Sequence, residues 1–467
     1  MPILFQLNPT TLGILTSFFL VPTKKTKKHS SLMKTIIAIL GCTLAVASEP
    51  TPFCKRIFEF PLKNAAVATF DSTYPSNAQN GPALLLTTFS PFGKDGVYAV
   101  TNVKDVLANP TKAVNMTTLD GNAIWPNMVS PVPVGAIPGT TSTESFVLTA
   151  GGFFVSPSKS TGSINLLDVS SSGSVIKTEI STPVKGNFYH QAEWTDIDGD
   201  GTLDIIAARA YKSMNPFSKA TAELVWLKPP TARNGIWEEQ SLTGKNGPGV
   251  AFCLTDVNND GKTEVVAAQF FVAQQLSIWY CDGDQWSDCI NGTNVKELII
   301  DDSEKAPFFA VEYTDLNGDG VKEILATTNT ANGKGAVYIY EASSTLSSTR
   351  MEDIKWKKTK IADGYKPMGL PFPGKGAPGR ASSFKIHVND TKKAILVSGD
   401  DGGVVDLLVL EDDNEEGVTS WNYKKIRVLN STGTVGSPDI MDIDGDGWAE
   451  IAVPLFAEKK VAVYSFQ

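Results

Sequence analysis

The sequence predicts an all-β chain: a seven-bladed β-propeller closed by an N-terminal strand that completes the last blade. Three observations predict it: a tandem repeat about 60 residues long, short strand-like runs within every repeat, and chain ends that complement each other. Four segments align without gaps: DIDGDGTLDIIAA from Asp196, DVNNDGKTEVVAA from Asp256, DLNGDGVKEILAT from Asp315 and DIDGDGWAEIAVP from Asp442. The first three are 60 and 59 residues apart, and the fourth lies 127 further on, near two periods. A degenerate unit fills that gap, KKAILVSGDDGGVVDLLVL from Lys392, its acidic loop reduced to HVNDTK. Two more units without the acids lie upstream, PALLLTTFSPFGKDGVYAV from Pro82 and SFVLTAGGFFVSPSKSTGSINLLDV from Ser145.

In chain order, the first 47 residues read as addressing. Residues 1–32 form an upstream extension, either untranslated or a signal-anchor built on the apolar stretch Ile3 to Val21, which Pro9 interrupts. Residues 33–47 read as a signal peptide: Lys34, an apolar run from Ile36 to Leu44, then Ala45-Val46-Ala47 before Ser48. The propeller is expected over residues 53–467. KRIFEFPL, just after Cys54, is a spare strand ahead of the first unit. Apolar strand onsets follow at Ala83, Ser145, Asp204, Glu264, Glu323, Lys393 and Glu450, at intervals of 62, 59, 60, 59, 70 and 57. Each unit reads as short runs rich in Val, Ile, Phe and Tyr between Gly/Asn/Asp turns, with no helical period of useful length. About four short strands in such a unit fit a propeller blade, whose two faces are buried by its neighbours around the ring. The final KKVAVYSFQ supplies only the third strand of the last blade, so the spare N-terminal strand is expected to complete it.

Composition narrows the function. At 42% hydrophobic and 19% charged, with 39 Gly and 27 Pro, the chain is neither disordered nor polytopic. With 41 Lys and Arg against 50 Asp and Glu the net charge is −9, which argues against nucleic acid as the main partner. A secreted monomer without a membrane span in the mature chain is expected. Sequons at Asn115, Asn291, Asn389 and Asn430 are consistent with that route as glycosylation sites. Cys281 and Cys289 flank a short polar turn and are expected to form a disulfide. Cys253 reads as a buried thiol, and Cys54 either stays free or pairs with it.

The acidic loops suggest a metal. In D-x-[DN]-x-D-G, oxygen ligands fall on alternate residues of a tight turn, which suits Ca²⁺. The expected ligands are Asp196, Asp198, Asp200 and Asp204; Asp256, Asn258, Asp260 and Glu264; Asp315, Asn317, Asp319 and Glu323; and Asp442, Asp444, Asp446 and Glu450. The carbonyl of the seventh position (Thr202, Lys262, Val321, Trp448) would complete each shell. An EF-hand closes with a carboxylate at position twelve, where this chain has Ala207, Ala267, Ala326 and Val453. The closing acid stands instead at position nine, before a strand.

With these residues the chain resembles the FG-GAP/VCBS repeat family, typified by the head of integrin alpha chains and by secreted microbial and fungal proteins. The resemblance implies four structural calcium turns between the first two strands of a blade, with a carbohydrate or an extracellular protein as partner on the opposite face. The irregular segments expected there contribute Trp125, Tyr189, His190, Arg209, Tyr211, Tyr365, Lys366, Phe372 and Arg380 as ligand candidates. Aromatic rings beside basic groups suit glycans or polyanionic sugars. Glu193, Glu312 and Asp439 each stand three positions before a first metal ligand. They either converge on the channel as a second metal or acid/base cluster, or hydrogen-bond neighbouring blades. The leading expectation is a binding or scaffold module. The alternative is a lyase on oxidised sugars, since HQAEWTDIDGDG and ELVWLKPP are similar to the propeller domain of fungal aldos-2-ulose dehydratases.

Overall fold

A computed structural model describes residues 54–467 except 75–80, 155, 157, 172, 214, 216, 234, 343–345, 347–349, 371–373 and 412–418. The expected extension and signal peptide, and Phe372, lie outside the described residues. The rest is a seven-bladed β-propeller of four-stranded antiparallel sheets. The first strands are Ala65–Asp71, Pro126–Pro131, Asn187–Thr195, Ala251–Thr255, Phe308–Thr314, Ala381–Phe384 and Asp439–Met441, numbered here as blades 1 to 7. The second strands are Ala83–Thr88, Phe146–Gly151, Asp204–Tyr211, Glu264–Ala268, Glu323–Thr328, Ala394–Ser398 and Glu450–Leu455. Five of the expected onsets coincide with these starts, and Ser145 and Lys393 precede theirs by one residue. The second strands are buried on both faces almost throughout, which is why they read as continuous apolar runs rather than as alternation.

The last blade is completed from the N-terminus. Lys55–Pro61 pairs antiparallel with Lys460–Ser465, from Lys55 opposite Ser465 to Pro61 opposite Lys460. Phe58, Phe60 and Leu62 drive this pairing by burying themselves with Leu84, Leu86, Val461 and Val463 between blades 7 and 1. Burial of each such side chain contributes roughly 1.5–3 kcal/mol. A second seam joins the same blades where Ala68 N–H donates to the Ser437 carbonyl (3.0 Å) and Ser437 N–H to that of Ala66 (2.8 Å). First strands of neighbouring blades pack on one another and so line the centre.

Among the described residues, one α-helix interrupts the all-β expectation. Val103–Ala108 is a single short α-helix that buries Val103 and Val106 beside blade 1, two contacts too few to register as a period in the sequence. Among the described residues, no helix is long and apolar enough to cross a membrane.

Because strands alternate in direction, connections segregate to two faces. The first-to-second and third-to-fourth connections share one face, which holds the acidic loops. The second-to-third and blade-to-blade connections share the other.

Candidate functional site

The four acidic loops have one backbone design. Their fourth and sixth positions are left-handed: Gly199, Asn259, Gly318 and Gly445 at φ 72, 53, 81 and 82°, then Gly201, Gly261, Gly320 and Gly447 at 85, 88, 87 and 94°. That curl brings the sixth N–H onto the first aspartate, at 2.8 Å for Asp196 and Asp256, 2.9 Å for Asp315 and 3.0 Å for Asp442. The fifth-position aspartates accept from the seventh N–H at 2.7–2.9 Å. The ninth-position acids reach back to the second N–H, at Ile197 (3.2 Å), Val257 (2.7 Å), Leu316 (3.0 Å) and Ile443 (2.9 Å).

The oxygens thereby gather. Ligand atoms of Asp196, Asp198 and Asp204 lie within 4.8 Å of one another, as do those of Asp442, Asp444 and Glu450. In blades 4 and 5 the third position is Asn258 or Asn317, whose amide donates to Asp260 (3.0 Å) or Asp319 (2.9 Å). Burial, reinforced by the loop's other acids, pushes the ninth carboxyl up to about 6 for Asp204, about 8 for Glu264 and Glu323, and about 7 for Glu450. A buried carboxyl among like charges is one that a hard cation relieves, and an all-oxygen donor set of this kind fits Ca²⁺.

The loops differ in what surrounds them. In blade 3 the Lys228 ammonium donates to Asp198 and, at 2.9 Å, to Asp200. In blade 5 Glu341 adds a further negative charge near Glu323. Beside the blade 4 loop, the Cys281–Cys289 disulfide closes the expected turn, with Cα atoms 5.8 Å apart. Trp286 in that turn donates its indole N–H to the Thr263 carbonyl at 2.7 Å, bracing the acidic loop. Cys54 and Cys253 are both free, so the two do not pair. The four sequon asparagines are exposed.

The expected ligand face is only partly as anticipated. Tyr189 is 1% exposed and meets Arg209 at 3.4 Å, and Arg209 is held by Glu223 (3.0 Å) and Glu239. Tyr365 is 4% exposed in the core between blades 5 and 6. These three are packing residues, because their strand positions turn them between sheets rather than out of the disc. Tyr211 is half-buried over Gly186, where a Cβ would meet its ring at 2.7 Å. Lys366 and Arg380 are exposed.

Trp125 and His190 instead belong to an arc of rings that the sequence reading missed. Phe456 meets Phe89 at 6.0 Å, Phe89 stacks on Trp125 at 4.5 Å, and Trp125 stacks on Phe153 at 5.3 Å. Phe153 meets Phe188 at 5.7 Å, Phe188 meets Phe271 at 5.4 Å, Phe271 meets Phe270 at 4.9 Å, and Phe270 meets Phe309 at 5.9 Å. The arc thus runs from blade 7 through blades 1 to 5 on the face opposite the acidic loops. Beneath it, Asp95 accepts from Trp125 N–H (2.7 Å) and from Lys159 (2.5 Å), pinning two connections together. The available signal was an aromatic placed just after the second strand in four blades: Phe89, Phe153-Phe154, Phe270-Phe271 and Phe456.

His190 sits among Phe153, Phe188 and Phe271 at 5.7–6.0 Å, and burial alone pushes its pKa down to about 4. A β-bulge between Tyr189 and Gln191 takes it out of the ladder, so strict alternation does not govern its direction. No hydrogen bond joins it to Glu193 among the described residues.

The three inner acids latch blades. Asp439 accepts from Phe70 N–H in blade 1 (2.6 Å), Glu312 from Ser383 N–H in blade 6 (2.9 Å), and Glu193 from the Leu254 backbone in blade 4. Cys253 holds the equivalent place in blade 4, facing the Tyr313 backbone. Burial raises Glu193 to about 7 and Asp439 in the same direction, and the Arg380 charge opposes both shifts.

No protein-family model matches the chain, and no curated protein matches it. Among solved structures it is similar to the Penicillium chrysogenum alpha-L-arabinanase complexed with arabinobiose. The identity is 10%, with 88% of this chain and 97% of that chain covered and a TM-score of 0.43. A likeness of that degree carries no functional inference.

Proposed function

We propose that the chain is a secreted, calcium-stabilised β-propeller that binds carbohydrate on the face opposite its acidic loops. The observation that supports this is the aromatic arc, in which Phe89, Phe153, Phe270, Phe271, Phe309 and Phe456 are half-buried, with Trp125 and Phe188 buried among them. Rings fixed by packing present apolar faces for sugar C–H surfaces at low entropic cost, and flanking polar groups supply orientation. In support of calcium stand the common loop frame and the buried ninth acids. In support of secretion stand the disulfide and the exposed sequon asparagines.

A glycan array followed by titration tests the reading. Binding that is lost in Phe153→Ala or Phe271→Ala, with the melting temperature largely retained, is the expected result. A folded protein that binds no glycan overturns it. The lyase reading needs an acid/base pair at His190, whose neighbours are rings. Product formed from a ketoaldose and lost in His190→Ala would replace the binding module with that enzyme.

A further inference from the structure

The two faces of the disc carry opposite charge. On the aromatic face the connections are the described residues within 62–64, 89–95, 121–125, 152–163, 180–186, 212–220, 242–250, 269–275, 302–307, 329–334, 366–380, 399–403, 431–438 and 456–459. Together they hold thirteen Lys and Arg against six Asp and Glu. On the other face, the connections among the described residues hold ten Lys and Arg against nineteen Asp and Glu. A chain of net charge −9 therefore builds one positive face. Two of its six acids are buried: Asp95, in its pair with Lys159, and Asp401, which accepts from Thr434 (2.6 Å). Lys94, Lys185, Lys219, Lys334, Lys366 and Arg380 are exposed, spread over five different connections. Their spread matches an extended ligand better than a single small anion. Three apolar tips stand beside such lysines, Phe92 (99% exposed) near Lys94, Phe217 (93%) near Lys219 and Leu370 (85%) near Lys366.

We infer that the ligand is an acidic polysaccharide, a sugar polymer bearing carboxylate or sulfate groups. This rests on the carbohydrate reading and adds its charge class. Sugar faces would lie on the aromatic arc while successive acidic groups meet lysines distributed around it. Each contact is a charge-assisted hydrogen bond that salt weakens. Neutral glycans would gain only the stacking part.

The probes are polygalacturonate for carboxylate, dextran sulfate for sulfate, dextran as the neutral polymer, and phosphatidylserine vesicles. Binding is measured in low salt and in about 0.5 M NaCl, where the Debye length is shorter than about 8 Å. The expected result is binding to at least one acidic polymer that falls about tenfold or more across that range. The triple variant Lys94→Ala, Lys219→Ala, Lys366→Ala should lose about tenfold, roughly 1.4 kcal/mol, and keep its melting temperature. Lys385→Ala with Lys392→Ala, on the other face, should change nothing. Salt-insensitive binding to dextran alone overturns the charge class and leaves the carbohydrate reading standing. Acidic-polymer binding unaffected by Phe153→Ala overturns the inference as mere charge attraction. Vesicle binding without any glycan binding, or no binding to any probe, overturns both readings.

Discussion

Removing divalent ions is the perturbation with the largest expected effect on this fold. Each loop that binds calcium at a free concentration 100-fold above its Kd stabilises the native state by about 2.7 kcal/mol, so four independent loops contribute about 11 kcal/mol. The propeller lies within residues 54–467, and an unfolding entropy of roughly 2.1 cal/mol/K per residue gives about 0.9 kcal/mol/K. A chelator should therefore lower the midpoint by about 12 °C. The difference should also depend on pH. Without metal, the ninth acids have pKa values raised to about 6–8, so their contribution to stability is present below about 4.5 and lost as pH rises through that window. Calcium holds them ionised and removes that loss, so the gap between calcium and chelator widens from pH 5 to pH 8. Differential scanning calorimetry in excess calcium and in excess chelator measures both quantities. Equal midpoints at pH 8 would refute the metal assignment, and a gap that narrows toward pH 8 would refute the electrostatic account.

Three further outcomes are expected. Lys228→Met removes an ammonium that holds Asp198 and Asp200, so isothermal titration should show blade 3 binding calcium about tenfold more tightly, roughly 1.4 kcal/mol, while the metal-free protein melts lower. Phe58→Ala or Phe60→Ala weakens the N-terminal clasp by about 3–5 kcal/mol each. The double variant should fall short of the sum, because the rings lie 6.4 Å apart and share neighbours; urea denaturation reads both. His190 has its pKa lowered to about 4, so its contribution is present above about 6.5 and lost as pH falls toward 4, amounting to about 3 kcal/mol. His190→Phe should abolish that part of the acid sensitivity, which thermal melts at pH 5 and pH 7 compare.

The inner acids show how a local pattern acquires meaning only in three dimensions. Glu193, Glu312 and Asp439 recur at one offset from the metal loops, which marks them as equivalent without stating a role. The role comes from the neighbouring blade, whose backbone N–H each one accepts. Tyr189, Arg209 and Tyr365 illustrate the opposite case: they sit in or beside irregular segments that look exposed, yet packing between sheets buries the two tyrosines and leaves Arg209 little exposed.

The repeat, the number of blades, the clasp of the termini and the acidic loops could all be read from the chain. Each depends on spacing along it: a period of about 60 residues, a two-residue alternation of oxygen ligands, an unpaired strand at each end. The aromatic arc left only a partial trace of this kind, in the aromatics that follow four of the second strands, and the positive face left none. Phe89, Phe188, Phe271 and Phe309 come from four blades, and the lysines of that face are scattered among acids along a chain that is negative as a whole. Only the antiparallel alternation of strands, which returns every second connection to the same side, together with the packing of blade against blade, brings them together.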